Sequence, residues 1–194
     1  MRVIAGSAKG KRLEAAPGDS TRPITDRVKS ALFSILYSQD MIEGRRYLDL
    51  FGGTGAVGIE ALSRGAAEVV FCERDRAALR TLYRNLESTR LSAGGVVVAG
   101  DAFAYLARPD LSTFDVIYIA PPQYQGLWLR ALRAVDARSE LLTADGQVIV
   151  QVFPKEWQAP DLAHLALADE RKYGSTALFF FINQERVRYV KDLA

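Results

Sequence analysis

Five short apolar runs alternate with helical segments from residue 46 onward, and this alternation constrains the fold most. The runs are RYLDLF, EVVFCERD, GVVVAGDA, FDVIYIA and GQVIVQVF. The segments 56–64, 76–91, 103–107 and 127–135 between them have the spacing of helices. Strands separated by helices require right-handed crossovers and form a mostly parallel sheet. The sequence therefore predicts an α/β, doubly wound, Rossmann-like domain.

The last apolar segment, LADERKYGSTALFFFIN, has a different pattern. Two runs are joined by Tyr173-Gly174-Ser175, which predicts an antiparallel hairpin that closes one edge of the sheet. No linker divides residues 46–194, so we expect one domain there. Residues 1–45 form a separate extension: an arm at 2–14, then a helix capped by Thr25 or Asp26.

Charge is unevenly distributed along the chain. Residues 1–30 have a net charge of +4, whereas all 194 residues have +2. A basic arm on a near-neutral body suggests an anionic polymer as partner, and a merely solvated terminus is the alternative. One cysteine and one histidine argue against a disulfide framework and a metal cluster. Without an apolar run of roughly 18–20 residues or a secretory signal, we expect a cytoplasmic protein and no membrane partner. We also expect a monomer.

A glycine-rich turn follows the first strand, in DLFGGTGAVGIEAL. Gly53, Gly55 and Gly58 have the G-x-G-x-x-G spacing, and Glu73 ends the second strand. This pattern predicts a site for an adenosine-containing cofactor, NAD among them.

Two further acids help to choose the cofactor. Asp49 precedes the turn, and Asp101 ends the third strand. Three acids at the carboxyl ends of neighbouring strands suit a cation better than a pyrophosphate. The sequence therefore favours S-adenosylmethionine (SAM) over NAD.

The fourth strand ends abruptly in YIAPPQYQ, residues 118–125. Neither proline can donate to a strand ladder, so the chain must leave the sheet there. SAM-dependent amino-methyltransferases often have Asp/Asn-Pro-Pro-aromatic at this location. A side-chain oxygen and the first proline's carbonyl accept hydrogens of the target amine, and the aromatic ring stacks on an extruded base.

Nearly the whole chain resembles the bacterial small-subunit ribosomal RNA guanine-N2 methyltransferase family of the RsmD type. The resemblance rests on MRVIAGSAKGKRL, TRPITDRVKSALFSIL, LDLFGGTGAVGIEALSRGA and KYGSTAL. It implies a class I SAM-dependent methyltransferase that modifies the exocyclic N2 of one particular guanine in 16S rRNA, within assembled or partly assembled subunits. It also implies that the basic arm contacts RNA and that residues after it border the active site.

Three sets of site residues follow from the motifs and the resemblance. The predicted catalytic loop contains Pro121, Pro122, Gln123 and Tyr124. The predicted cofactor site comprises Asp49, Phe51, Gly52, Gly53, Thr54, Gly55, Glu73, Arg74, Asp101, Ala102 and Ala120. The predicted RNA contacts are Lys9, Lys11, Arg12, Arg22, Pro23, Thr25, Asp26 and Arg27.

The loop departs from the family pattern. Ala120 stands where the family has the aspartate of Asp-Pro-Pro-Tyr, and the aromatic residue is displaced by one position to Tyr124. Gln123 is the candidate to supply the missing acceptor. Two alternatives stay open: an amino-methyltransferase for adenine in DNA or for protein glutamine, and a SAM-binding RNA assembly factor without catalysis.

Overall fold

The computed structural model describes residues 1–16 and 24–185. Within these ranges the chain forms five α-helices and seven strands. In chain order they are α1 (Asp26–Ser38), β1 (Arg46–Asp49), α2 (Gly58–Ser63), β2 (Glu68–Glu73), α3 (Arg76–Thr89), β3 (Gly95–Ala99), α4 (Ala102–Leu106), β4 (Phe114–Ile119), α5 (Leu127–Asp136), β5 (Leu142–Val152), β6 (Leu165–Tyr173) and β7 (Thr176–Asn183). Short 3-10 turns lie at Ser92–Gly94, Ser139–Leu141 and Pro154–Glu156.

All seven described strands belong to one sheet, in the order β3-β2-β1-β4-β5-β7-β6. The strands β1 to β5 pair in parallel, and β7 pairs antiparallel with both β5 and β6. The predicted class I Rossmann-like fold with an antiparallel C-terminal hairpin is therefore confirmed. β4 lies beside β1, so the Pro-Pro segment after β4 and the glycine turn after β1 leave neighbouring strands.

Helices cover both faces of the sheet. The arm, α1, α2 and α3 contribute to a core on one face, which we call face one. The helices α4 and α5 contribute to the core on face two. The three consecutive phenylalanines alternate: Phe180 joins face one, whereas Phe179 and Phe181 join face two. A strand with cores on both sides needs apolar residues at every position, and this explains the run.

The boundaries of several elements differ from the predicted ones. The first apolar run leaves the ladder after Asp49, and Gly52 donates to the carbonyl of Cys72 as the turn begins. The second helix begins at Gly58 rather than at residue 56, because the glycine turn extends to that point. The fifth strand begins early, at Leu142, and an irregular register separates Phe114 from Val116 on its partner.

The N-terminal arm packs on the body of the molecule. Arg2 and Arg12 form an antiparallel bridge, and the arm's apolar side chains enter the core of face one. Gly6 has a φ of +82°, and a Cβ there would lie 1.7 Å from the carbonyl oxygen of Ser63. Only glycine allows this approach of the arm to α2. The division of the chain at residue 45 stays a prediction.

One residue of the basic extension is not available to a partner. The net charge of residues 1–30 includes Lys29, but this side chain is completely buried and pairs with Glu60 at 3.2 Å. It lies on the inner side of α1, which faces the core. The exposed positive charge of the extension is therefore smaller than the sequence count indicates.

Candidate active site

The loops that follow β1, β2, β3 and β4 meet at the edge of the sheet formed by the carboxyl ends of these strands. Each loop leaves the carboxyl end of a parallel strand, where open α/β sheets bind ligands. The edge brings together the glycine turn, the ends of β2 and β3, and the Pro-Pro loop. The predicted cofactor residues and the predicted catalytic loop therefore lie on neighbouring strands.

The three motif glycines have different roles in the turn. A Cβ at Gly58 would lie 2.2 Å from Cε1 of Phe71, which is fully buried, so α2 can approach β2 only through glycine. Gly55 has a φ of +87°, and a Cβ there would lie 2.5 Å from Leu82. A Cβ at Gly53 would meet only the carbonyl oxygen of Phe51, at 3.9 Å. Gly53 is therefore the motif position with room for a close ligand.

Asp49 is a buried carboxyl group beneath this turn. Asp49 is 4% exposed, and its carboxyl group accepts a hydrogen bond from the backbone N–H of Gly58. Burial raises the pKa of Asp49 to about 7; the Gly58 hydrogen bond opposes that shift and the negative charge of Glu73 adds to it. Asp49 can therefore gain or lose its proton near neutral pH.

Glu73 holds the turn in place through its carboxylate. One oxygen accepts from the backbone N–H of Gly53 at 2.8 Å. The other accepts from the backbone N–H groups of Arg74 and Asp75, at 2.8 and 2.7 Å. A carboxylate has about four acceptor positions, so these three bonds leave room for about one more donor.

Asp101 lies at the end of β3 and caps α4. Its Oδ1 accepts from the backbone N–H groups of Phe103 and Ala104, at 2.9 and 3.1 Å. Its Oδ2 lies 3.9 Å from the exposed guanidinium of Arg74. Ala102 is buried in the core of face two.

Phe51 brings an aromatic surface to the same region. Its ring meets the ring of Phe103 edge-on, with centroids 6.4 Å apart. The guanidinium of Arg130 covers Phe103 at 3.8 Å. Thr54 is tied to α3, because its carbonyl accepts from Nδ2 of the buried Asn85 at 2.9 Å.

The Pro-Pro loop begins directly after β4. Residues 120–123, Ala120, Pro121, Pro122 and Gln123, are half-buried. Tyr124 is 70% exposed and has a φ of +61°, which is uncommon for a residue other than glycine. Its backbone N–H donates to Oε2 of Glu156 at 2.7 Å, and its ring meets Phe153 edge-on at 5.9 Å.

Aromatic rings pack below the end of β5. Trp157 stacks on Phe179, with centroids 3.5 Å apart, and Trp128 stacks on Trp157 at 5.2 Å. Trp128, which follows the loop, is therefore a packing residue. The stack joins α5, the helix that follows the Pro-Pro loop, to the Pro154–Glu156 turn that follows β5.

The predicted RNA contacts lie mainly on the arm and at the start of α1. Lys9, Lys11, Arg12 and Arg27 are exposed. Thr25 caps α1 through the N–H of Val28, as predicted. Arg22 and Pro23 lie outside the described residues.

A surface pocket brings part of this set together. Asp26 pairs with Arg2 at 3.1 Å beside it. The described residues that line the pocket are Met1, Arg2, Gly10, Arg12, Leu13, Ile24, Thr25 and Asp26. It does not include the loops that follow β1 to β4.

The sequence model of the Conserved hypothetical protein 95 family matches residues 1–182 of this chain. The chain belongs to this family. A Bacillus subtilis protein, YlbH, named as a proposed rRNA methyltransferase, is 36% identical over 93% of this chain and 98% of its own length. The Escherichia coli ribosomal RNA small subunit methyltransferase D is 38% identical over 66% of this chain and 62% of its own length.

A solved structure places this Conserved hypothetical protein 95 member among the class I methyltransferases. It is a proposed methyltransferase, YhhF, from Escherichia coli, with 28% identity and a TM-score of 0.82 over 94% of this chain and 97% of that one. The resemblance to the RsmD type is thus confirmed. Among the described residues, no group of three or more His, Cys, Asp or Glu side chains is placed to bind a metal ion. No helix in those ranges has the length and hydrophobicity to cross a membrane.

Sequence reasoning missed the residues that fasten the arm to the helices next to the glycine turn in this family member. Glu60 on α2 accepts from the N–H groups of Ile4 and Ala5, at 2.8 and 3.0 Å, and pairs with both Lys29 and Arg64. An acidic residue next to a glycine turn was the available signal, but its partners on the arm and on α1 lie far away in the sequence.

Asn85 on α3 was missed as well. Besides Thr54, it binds the backbone N–H and C=O of Glu14. A polar residue among the apolar positions of a helix was the only sign of this contact. One buried amide therefore connects the arm to the glycine turn.

Tyr118 and Gln151 form a further polar pair that the sequence did not indicate. Tyr118 lies opposite Asp49 in the sheet, and its hydroxyl donates to Oε1 of Gln151 at 2.6 Å. Burial raises the pKa of Tyr118 well above its usual value, and the charge of Asp49 adds to the shift. The tyrosine therefore stays protonated and acts as a hydrogen-bond donor.

Proposed function

We propose that this chain transfers a methyl group from SAM to the exocyclic N2 of a guanine in small-subunit rRNA. One observation carries the proposal: a glycine turn, three strand-end acids and a Pro-Pro loop share one edge of the sheet. The family relationship supports the substrate class, because a relative is named ribosomal RNA small subunit methyltransferase D.

The residues at this edge suit a cationic cofactor. When bound, SAM supplies an electrophilic methyl group on a positively charged sulfur. Asp49 and the Gly52–Gly55 backbone would hold the methionine part, Glu73 the ribose hydroxyls, and Asp101 the adenine. The buried Asp49 carboxyl and the remaining acceptor position on Glu73 support this assignment. Phe51, Arg74, Ala102 and Ala120 complete the proposed cofactor surface.

The Pro-Pro loop would bind the target base. An exocyclic amine is a poor nucleophile because its lone pair is conjugated with the ring. The carbonyl of Pro121 accepts one amine hydrogen, and Gln123 is the proposed second acceptor, so that the lone pair is directed at the methyl carbon. The two prolines stiffen the backbone, and a fixed acceptor loses little free energy to reorganisation. Tyr124 would stack on the base.

The arm would bind RNA next to this site. Lys9, Lys11, Arg12 and Arg27 present exposed positive charge, and backbone contacts to phosphates need only such charge. Thr25 and Asp26, with Arg22 and Pro23, complete the proposed RNA surface. A splayed base in a single-stranded loop is the form in which RNA-binding proteins usually recognise sequence.

Nucleoside mass spectrometry on unmodified small ribosomal subunits, incubated with the protein and SAM, tests the proposal. We expect N2-methylguanosine to appear in the subunits. Free rRNA and duplex DNA are assayed in parallel, and methylated adenine in DNA would favour the first alternative. SAM binding without methylation of any substrate would support the second alternative, an assembly factor without catalysis. The absence of a carboxylate at Ala120 is the observation behind that alternative.

Two glutamines of the loop provide a matched pair of variants. Gln123→Ala should lower turnover by roughly 30- to 1000-fold if Gln123 is the second acceptor, with SAM affinity unchanged. Gln125→Ala, two residues further along and exposed, should retain wild-type turnover. Equal rates for both variants would show that Gln123 does not replace the missing carboxylate.

A further inference from the structure

Glu156 is an acidic side chain that lies against the Pro-Pro loop but comes from another segment. It belongs to the Pro154–Glu156 turn, which follows β5 at the same edge of the sheet. Its Oε2 accepts from the backbone N–H of Tyr124 at 2.7 Å. A carboxylate is thus present beside a loop whose own carboxylate position is occupied by Ala120.

The second oxygen of Glu156 has an unusual environment. Oε1 is buried, yet it has no hydrogen-bond partner within residues 1–16 and 24–185. A buried carboxylate oxygen without a donor is costly, and each such group in a folded protein requires an explanation. A donor from a bound molecule would satisfy it.

The contact between Glu156 and Tyr124 is specific. The left-handed backbone of Tyr124 orients its N–H toward the carboxylate, and its ring rests on Phe153, three residues before Glu156. The loop after β4 and the turn after β5 therefore hold each other. This arrangement holds the Glu156 carboxylate in place.

We propose that Glu156, from the turn after β5, supplies the carboxylate that the Pro-Pro loop lacks at Ala120, and that it acts on the target guanine beside the two amine acceptors, Pro121 and Gln123; this inference rests on the proposed function. Oε2 holds the loop through Tyr124, and Oε1 accepts the N1–H at the Watson–Crick edge of the target guanine, whose two amine hydrogens are accepted by Pro121 and Gln123. Guanine presents two donors there, N1–H and the N2 amine. Adenine also has an amine at this edge, but its N1 is an acceptor, which a carboxylate repels. Glu156 thereby both holds the base in position and selects guanine.

The variant Glu156→Gln separates this role from a purely structural one. A glutamine keeps one oxygen that can accept from Tyr124, but it places an NH2 group where Oε1 lies. We expect turnover on small ribosomal subunits to fall roughly 10- to 100-fold, with little change in SAM affinity. The exposed Glu87→Gln on α3 removes the same charge and should retain wild-type turnover. Melting temperatures measured beside the rates show whether each variant is folded.

A rescue experiment provides an independent readout. Adding Ala120→Asp to Glu156→Gln returns a carboxylate to the loop and should restore most of the lost turnover. The proposal is overturned if Glu156→Gln retains the wild-type rate, or if Ala120→Asp fails to restore a lowered rate in a folded protein. Either result leaves the proposed function intact, because the wild-type protein still methylates guanine. An inactive wild-type protein would instead contradict the proposed function itself.

Discussion

At Asp49 the sequence indicates the position of a carboxyl group, and burial sets the pKa of that group. Its place before the glycine turn predicted a contact with a cationic cofactor. The structure adds that burial raises its pKa to about 7, so that the free protein holds a mixture of the protonated and ionised forms near neutral pH. A carboxyl group in this state responds to a cation by losing its proton.

Binding of SAM should therefore release protons. The cation favours ionised Asp49, so we expect a fraction of a proton to be released at pH 7 and the affinity to rise with pH up to about 7. Calorimetry in two buffers with different ionisation enthalpies measures the release. Asp49→Asn should abolish it, and release that persists in this variant would assign the proton to another group.

The same shift affects folding with a defined sign. Because the folded-state pKa of Asp49 lies above the value near 3.8 of an unburied aspartate, the folded state binds the proton more tightly. This contribution to stability is complete below about pH 4 and is lost as the pH rises through about 7. The ionised form is destabilising until a cation binds beside it.

At the scale of elements, Glu60 connects three parts of the chain. It lies on α2 and contacts the arm, Lys29 of α1, and Arg64. Removing one partner of a buried ion pair leaves an uncompensated charge, and this is more costly than the loss of an exposed pair. The arm and the glycine turn should therefore lose stability together.

The variants Glu60→Gln and Lys29→Met test this connection. Glu60→Gln leaves the fully buried Lys29 without a carboxylate, and we expect a loss of about 3–5 kcal/mol in the free energy of unfolding. Lys29→Met should cost less, because Glu60 keeps Arg64 and the two backbone N–H groups of the arm. Urea denaturation measures both values, and the reverse order would contradict the role given to Glu60.

Local patterns account for what the sequence could predict. The strands, the glycine turn and the C-terminal hairpin follow from apolar periodicity and from residues with special backbone geometry, all of which lie within short windows. The contacts of Glu60 and Glu156 depend on residues 55–56 and 32 positions away, so no local pattern contains them. The burial of Lys29 could have been inferred from its helix face, but the charge count concealed it.

At the scale of the whole molecule, the positively charged arm lies next to the glycine turn, which binds the cofactor in the proposed function. Lys9, Lys11 and Arg12 are exposed on the described arm, and Glu60 and Asn85 fasten that arm to the helices flanking the glycine turn. An arm fixed in this way presents its charge at a constant position relative to the site. In the proposed function, RNA bound by the arm would therefore be held in one register.

Replacing Lys9, Lys11 and Arg12 by alanine should weaken RNA binding. The slope of the logarithm of affinity against the logarithm of salt concentration should decrease by about 2–3, since each phosphate contact contributes roughly 0.7–0.9. Filter binding at several salt concentrations measures it. Replacing the exposed Arg76, Arg80 and Arg133 removes the same charge elsewhere, and an equal decrease there would mean that binding is not confined to the arm.

The order of the last strands bears on how the chain folds during its synthesis. β7 is made after β6 but lies between β5 and β6. Until residues 176–183 leave the ribosome, the long strand β5 has no partner on that side, and Phe179, Phe180 and Phe181 are missing from both cores. The nascent chain thus reaches its stable form only after this late segment emerges. An incomplete copy exposes an apolar strand edge that quality-control proteases and chaperones can recognise.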